Sequence, residues 1–321
     1  MTGRSWAWFI GRRLVTLVVL LIVISFVVFS LLYLSPGSVI DTLLGTNPRT
    51  PQEIRYLTNE YHLNKSFWDQ YWIWASQAAQ FHFGNSIQTS LPVTTELSER
   101  LPTTLYLGVY AYILTMIGGI GGGLLAALRQ QRPADRAIVG ASIVAMSAPA
   151  FVTGVFLIFL LGIEVHWFPV SGPGSGFFGD LWHLTLPAVA LALTGMAFLV
   201  KHTRAAVIGV LDQDYLTFAR ARGLSPGRVL FVYALRNALI PVVTMSGLIL
   251  SYVIVGAVLV EDTFSLPGIG QLLVQSATAK DLPMLQGVAM LVAAVIIVAN
   301  LLADVAYILV DPRVRLGRGT S

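Results

Sequence analysis

The chain has 321 residues, of which 55% are hydrophobic and 11% charged, less than half the roughly 25% charged residues of ordinary globular domains. Its apolar residues come in long uncharged blocks, which excludes a soluble protein with a large core and points to an all-α integral membrane protein. With no cysteine there is no disulfide, thiolate metal site or thiol catalysis. The formal net charge of +4 is explained by where the basic residues lie, not by a nucleic-acid partner.

Leu14 to Leu34 is 21 residues without a charge, long enough to cross a hydrocarbon core of about 30 Å. It follows a short segment, 1–13, that carries Arg4, Arg12 and Arg13. The run is too long for the apolar part of a signal peptide, and Leu34-Ser-Pro-Gly37 offers no small-residue cleavage pattern, so an uncleaved first span is expected. The stretch 35–103 is the longest polar segment. It clusters Trp68, Tyr71, Trp72 and Trp74, aromatics at home at a membrane–water interface, and is partly helical between Glu53 and His82.

Further spans are expected at 104–128, 137–163, 183–200, 240–260 and 284–310. That at 183–200 is the weakest, 18 residues long with Pro187 inside it. Between the last two, Glu261 to Gln271 is broken by Pro267-Gly268. Six spans place both termini on one side. With the N-terminus inside, 15 of the 20 Lys and Arg fall on inner segments, and 11 of the 16 acids fall on outer ones. That bias sets the orientation by the positive-inside rule: cytoplasmic termini, including the tail 311–321, an extracytoplasmic loop 35–103 after the first span, and a cytoplasmic segment 201–239.

That cytoplasmic segment carries the most local detail. Asp212 or Asp214 is placed to cap a helix whose positions Tyr215, Phe218, Ala219 and Arg222 follow i, i+3, i+4, i+7 spacing. Gly223 is placed to end it in the left-handed conformation. Ser225-Pro226 then reads as N-cap and first position of a second helix, which runs toward Ile240-Pro241, where the apolar sequence resumes.

An energy source within the chain is hard to find. A phosphate-binding loop needs Gly-Lys-Ser/Thr, and none of Lys65, Lys201 and Lys280 sits in that context. Ion coupling needs intramembrane charge, and Asp304 is the one acid well inside a span, better read as a packing or interfacial residue. The five histidines are scattered, with no HExxH. Gly118-Gly-Ile-Gly-Gly-Gly123 follows no strand and lies within the second span, so it reads as close helix packing. There remains a pore without an engine and a helical cytoplasmic unit able to receive one.

Asp214-Tyr-Leu-Thr-Phe-Ala-Arg-Ala-Arg-Gly223 with Ala238-Leu-Ile-Pro241 resembles the EAA loop of binding-protein-dependent ABC importer permeases. More narrowly, it resembles the first-permease branch of the dipeptide/oligopeptide family. The resemblance extends through Ser35-Pro-Gly37, Phe83-Gly-Asn-Ser86, Glu99-Arg-Leu-Pro-Thr103, Trp167-Phe-Pro-Val-Ser-Gly172, Leu184 to Pro187, Val260-Glu-Asp-Thr-Phe264 with Pro267-Gly-Ile-Gly270, and Asp311-Pro-Arg313. Two departures stand out: Pro36-Gly-Ser-Val39 where the family has Pro-Gly-Asp-Pro, and Leu216-Thr217-Phe218, which removes a basic residue and adds an aromatic.

The resemblance implies a type I ABC importer permease fold in the inner membrane of a prokaryote. It implies a second homologous permease subunit, two ATPase subunits that bind ATP and Mg, an extracytoplasmic substrate-binding protein, membrane lipid around the spans, and no cofactor on this chain. Di- or oligopeptides would be the substrate; nickel or glutathione import on the same fold, and an ion-coupled secondary transporter, are the alternatives. Asp214, Tyr215, Phe218, Ala219, Arg220, Arg222 and Gly223 would couple to an ATPase, with Ser225, Pro226 and Pro241 setting the loop's geometry. Trp68, Trp72, Phe264, Pro267 and Gly268 are candidates for an extracytoplasmic gate or a binding-protein contact.

Overall fold

In the computed structural model, residues 3–34, 38–44 and 49–310 are described. The expectations placed on Ser35-Pro36-Gly37 and on 311–321 lie outside them. Apart from one isolated bridge between Asn85 and Pro92, every described element is a helix. The order is α1 (Gly3–Leu34), α2 (Val39–Leu44), α3 (Pro51–Glu60), α4 (Phe67–Ala78), α5 (Val93–Leu128), α6 (Pro133–Ser147), α7 (Ala150–Leu157), α8 (Gly176–Leu211), α9 (Asp214–Ala221), α10 (Pro226–Arg228), α11 (Leu235–Thr263), α12 (Ile269–Ala279) and α13 (Leu282–Val310). Wide π turns at Ile158–Glu164 and Val229–Ala234 continue α7 and join α10 to α11.

Among the described residues five helices are long and apolar enough to cross a membrane, and a sixth crossing is reached if α6 and α7 count together. The expected span 137–163 is not one straight helix: its halves meet at 105°. The cause is Pro149, whose ring disfavours a helical conformation at the residue before it; Ala148 is accordingly extended, at φ −106° and ψ 133°. The helices that carry the other expected spans are longer than those spans. The weakest, 183–200, belongs to a 36-residue helix that includes Pro187 and runs through Lys201 and Arg204. The helix that carries span two starts at Val93, before the expected span at 104, with Pro102 inside it. Hydropathy marks the part of a helix that lies in lipid, whereas propagation carries the helix into polar flanks at little cost.

The chain forms two compact units, Met1–Thr104 with Pro267–Ile297, and Leu105–Leu266 with Val298–Ser321. The second is built on α8, whose Ala188, Ala190, Leu191, Ala192 and Leu199 are fully buried. The glycines of α5 are pressed against it. A Cβ built on Gly119 would lie 2.5 Å from Leu199 Cβ, and one on Gly123 would lie 2.5 Å from Thr203 Cβ and 2.7 Å from the Val200 carbonyl oxygen. The Thr115 hydroxyl reaches the Ala192 carbonyl oxygen at 3.3 Å, and the Ser251 hydroxyl on α11 donates to Asn300 Oδ1 on α13 at 3.1 Å. Small residues that let backbones approach, with a few hydroxyl bonds between helices, are how spans pack where lipid removes the hydrophobic drive. The glycine run is thus a packing surface, as its position in the sequence implied.

In the first unit, Phe83, Val93 and Leu97 pack on Ile269, Leu272, Met284 and Val288. Asp281, almost fully buried, caps α13 through the Met284 amide at 3.2 Å and accepts the Ser86 hydroxyl at 2.5 Å.

Replacing Gly123 by Val is expected to cost about 1–3 kcal/mol by overpacking, read as a lower Tm of the purified protein. Gly121→Ala, on the same helix but with nothing within 4 Å of the new Cβ, is expected to leave Tm unchanged.

Candidate functional site

The segment that links α8 to α11 is a tight helical hairpin. Gln213, extended at φ −80° and ψ 141°, precedes α9, and no side chain caps the helix; the expected cap by Asp212 or Asp214 is not formed. Asp212 ends α8. Asp214 is instead the first residue of α9 and Arg220 stands in its last turn, so both charges complement the helix dipole. Gly223 closes the helix at φ +76°, where a side chain would be strained. Its amide donates to the Arg220 carbonyl at 2.9 Å, and the Leu224 amide to that of Ala219 at 3.4 Å. Ser225 and Pro226 take the N-cap and first positions of α10 as expected, though the Ser225 side chain makes no capping bond. From Pro226 the chain is helical without interruption to Thr263, passing through Pro241 rather than breaking there.

The expected face of α9 divides into two. Leu216 and Ala219, at i and i+3, are buried and pack with Val229 and Ala234. Ala219 therefore holds the hairpin together and is not available for a partner's close approach. Tyr215, Phe218 and Arg222, at i, i+3 and i+7, point outward, with Phe218 68% exposed. Phe218 is the more exposed of the two aromatics on α9.

Two pairings escape a reading of the sequence. Asn237 Nδ2 donates to Tyr215 Oη at 3.1 Å and to the Tyr233 carbonyl at 2.9 Å, which ties α9 to the start of α11. Arg204 near the end of α8 forms a two-pronged ion pair with Asp135, Nε to Oδ1 at 2.7 Å and Nη2 to Oδ2 at 2.8 Å. Asp135 also accepts the Gln131 amide at 2.8 Å. The visible clue was a lone acid among Arg129, Arg132 and Arg136, yet its partner lies 69 residues away.

The other expected positions are scattered. Trp68 and Trp72 lie exposed on α4, whereas Phe264 is 1% exposed. It packs against Gly154, and its carbonyl accepts the Gly172 amide at 3.2 Å. Phe264 and the buried Gly268 offer no surface to a partner, because both serve the packing of their own unit; Pro267 is half-buried. Among the described residues no group of three His, Asp or Glu could hold a metal ion.

Among the described residues, five or six stretches of helix long and apolar enough to cross a membrane, with a surface hairpin continuous with one of them, define an integral membrane protein. Residues 119–316 match the family model described as binding-protein-dependent transport system inner membrane component, and residues 7–108 match the model of its N-terminal part. The chain belongs to this family. It is 38% identical to a probable peptide ABC transporter permease of Sinorhizobium fredii, over 96% of this chain and 99% of the relative. It is 36% identical to the di/tripeptide transport system permease of Pseudomonas aeruginosa, over 96% and 98%. With the glutathione transport system permease of Shigella flexneri it shares 33%, over 96% and 98%. Among solved structures, inward-facing conformations of the MetNI methionine ABC transporter superpose with a TM-score of 0.51 at 17% identity, covering 68% of this chain and 96% of that one, a likeness of fold.

Removing one member of the Asp135–Arg204 pair leaves the other charge without its counterpart. Asp135→Asn is expected to lower Tm and loosen the end of α8. The double variant Asp135→Asn/Arg204→Gln is expected to lose less than the two single losses combined, read as non-additivity in a double-mutant cycle.

Proposed function

We propose that this inner-membrane permease subunit imports di- and oligopeptides by alternating access, with α9 as the helix on which a separate ATPase subunit acts. The placement of α9 in the cytoplasm rests on the distribution of basic residues. One observation carries the coupling role: the exposed Tyr215–Phe218–Arg222 stripe sits on a helix locked by Leu216, Ala219 and Asn237 to a continuous helical run that becomes α11. A push on that stripe moves a span. Tyr and Arg are the residue types that anchor interfaces, and a protruding aromatic fits an apolar groove.

In the assembled transporter this subunit pairs with a second permease, two ATPases that bind ATP and Mg, and an extracytoplasmic binding protein. The chain itself contributes geometry and no chemical step. The peptide relatives support a peptide substrate. The glutathione relative supports a second reading on the same machinery, glutathione being itself a small peptide.

In proteoliposomes holding the complete transporter, Phe218→Ala is expected to weaken ATPase docking by at least about 2 kcal/mol, roughly thirtyfold, and to reduce uptake in proportion. Gly223→Asp, forced to φ +76°, is expected to abolish uptake while the chain still inserts. Normal import by either variant would refute the coupling role. Competition of labelled dipeptide uptake by glutathione separates the two substrate readings.

A further inference from the structure

The aromatic helix α4 does more than lie at an interface. Phe26 of α1 stacks on Trp68, with centroids 5.7 Å apart and planes at 15°, and meets Tyr71 edge-on at 5.5 Å. Phe29 contacts Tyr71 and Trp74 at 5.6 Å each. The Tyr71 hydroxyl reaches Ser25 Oγ at 3.0 Å and donates to the Ile22 carbonyl at 3.4 Å. At 1.5 Å per residue, Ile22 lies about 18 Å along α1 from Leu34, near the middle of a hydrocarbon core of about 30 Å. The underside of α4 is thus carried by a span and faces the membrane interior.

Beneath it is a cavity of about 670 Å³, walled by α1, α5 and α13 and roofed by α4. No charged side chain lines it. Of the hydroxyls that line it, Ser25 is bonded to Tyr71 and the Ile22 carbonyl, Ser76 to the Ile73 carbonyl and Ser98 to that of Thr95, and Thr94 adds one more. A charged solute would find no counter-charge there. Trp72 and Phe81 at its rim are 63% and 69% exposed, so the mouth is apolar as well. The volume lies within the roughly 300–1,000 Å³ of ligand sites.

We propose that this groove holds one acyl chain of a phospholipid from the leaflet on the α4 side, and that Trp72 and Phe81 contact lipid and not a soluble binding protein. Two of the walls, Leu21, Ile22 and Ser25 of α1 and Met290, Leu291 and Ala294 of α13, lie within expected spans, where acyl chains are the solvent. The seated chain fills the space under α4 and holds that helix down on the spans that wall the groove.

The absence of native cysteine makes the test direct. Ala75→Cys and Ala79→Cys, on the groove side of α4, are nitroxide-labelled in the complete transporter in phosphatidylethanolamine–phosphatidylglycerol vesicles. Collisions with oxygen and with a water-soluble nickel chelate are then measured. Labels reached by oxygen and shielded from nickel support the proposal. Labels open to nickel would make the groove water-filled and overturn it. Labels shielded from both would mean that another subunit covers it, which also overturns it. Independently, native mass spectrometry of the wild-type transporter is expected to retain one phospholipid per copy of this chain, and Ala294→Trp, which fills the deep end, is expected to lose it. Retention unchanged in that variant would contradict the proposal.

Discussion

The close approach of α5 to α8 is the constraint on which the second unit depends. In lipid, helices gain nothing from burying apolar faces against one another, so association rests on packing and short polar contacts. Here Gly118, Gly119 and Gly123 allow Met196, Leu199 and Thr203 to sit where side chains of α5 would otherwise be. Around the buried α8 the bent pair α6–α7 and the long α11 are assembled. The same helix runs on past its apolar part to Arg204, whose pairing with Asp135 fixes the segment between α5 and α6. One helix therefore sets both the interior of the bundle and the base from which the hairpin springs.

The hairpin itself is a rigid corner. Gly223 supplies the left-handed residue, and Pro226 starts the next helix at its preferred position. Leu216 and Ala219 pack the short helix against Val229 and Ala234 across the turn. Asn237 adds a polar strut to Tyr215. A short helix of 8 residues is marginal in isolation, so these contacts hold it in shape. The proposed coupling needs that stiffness, because a lever that bends transmits nothing.

Much of the fold and of the hairpin was legible from residue order, and the remainder was hidden for physical reasons. The long apolar helices, Gly223 as a helix end, Pro226 as a helix start and the glycine run as a packing face all come from local rules. Pro149 could have announced the 105° bend, but its apolar surroundings made the stretch read as one span. The helical periodicity of α9 was visible, yet it could not say that Ala219 faces inward with Leu216 and that Tyr215, Phe218 and Arg222 face outward. That choice is made by Val229 and Ala234, contacts across the turn. Phe264 illustrates the same limit: an aromatic beside a Pro-Gly break reads as a loop contact, but it fills a core position against Gly154. Long-range pairs leave little local pattern: Asp135 stands out as a lone acid among arginines, but nothing near it names Arg204, and nothing near Ser86 names Asp281.

The exposed stripe of α9 is, on this view, where an ATPase subunit meets the chain. A photoreactive phenylalanine analogue at position 218, in the complete transporter in its native membrane, tests that most directly. The predicted result is an adduct with the ATPase subunit whose yield changes between nucleotide-free and ATP-bound states. Adducts with only lipid, the other permease or the binding protein would contradict it.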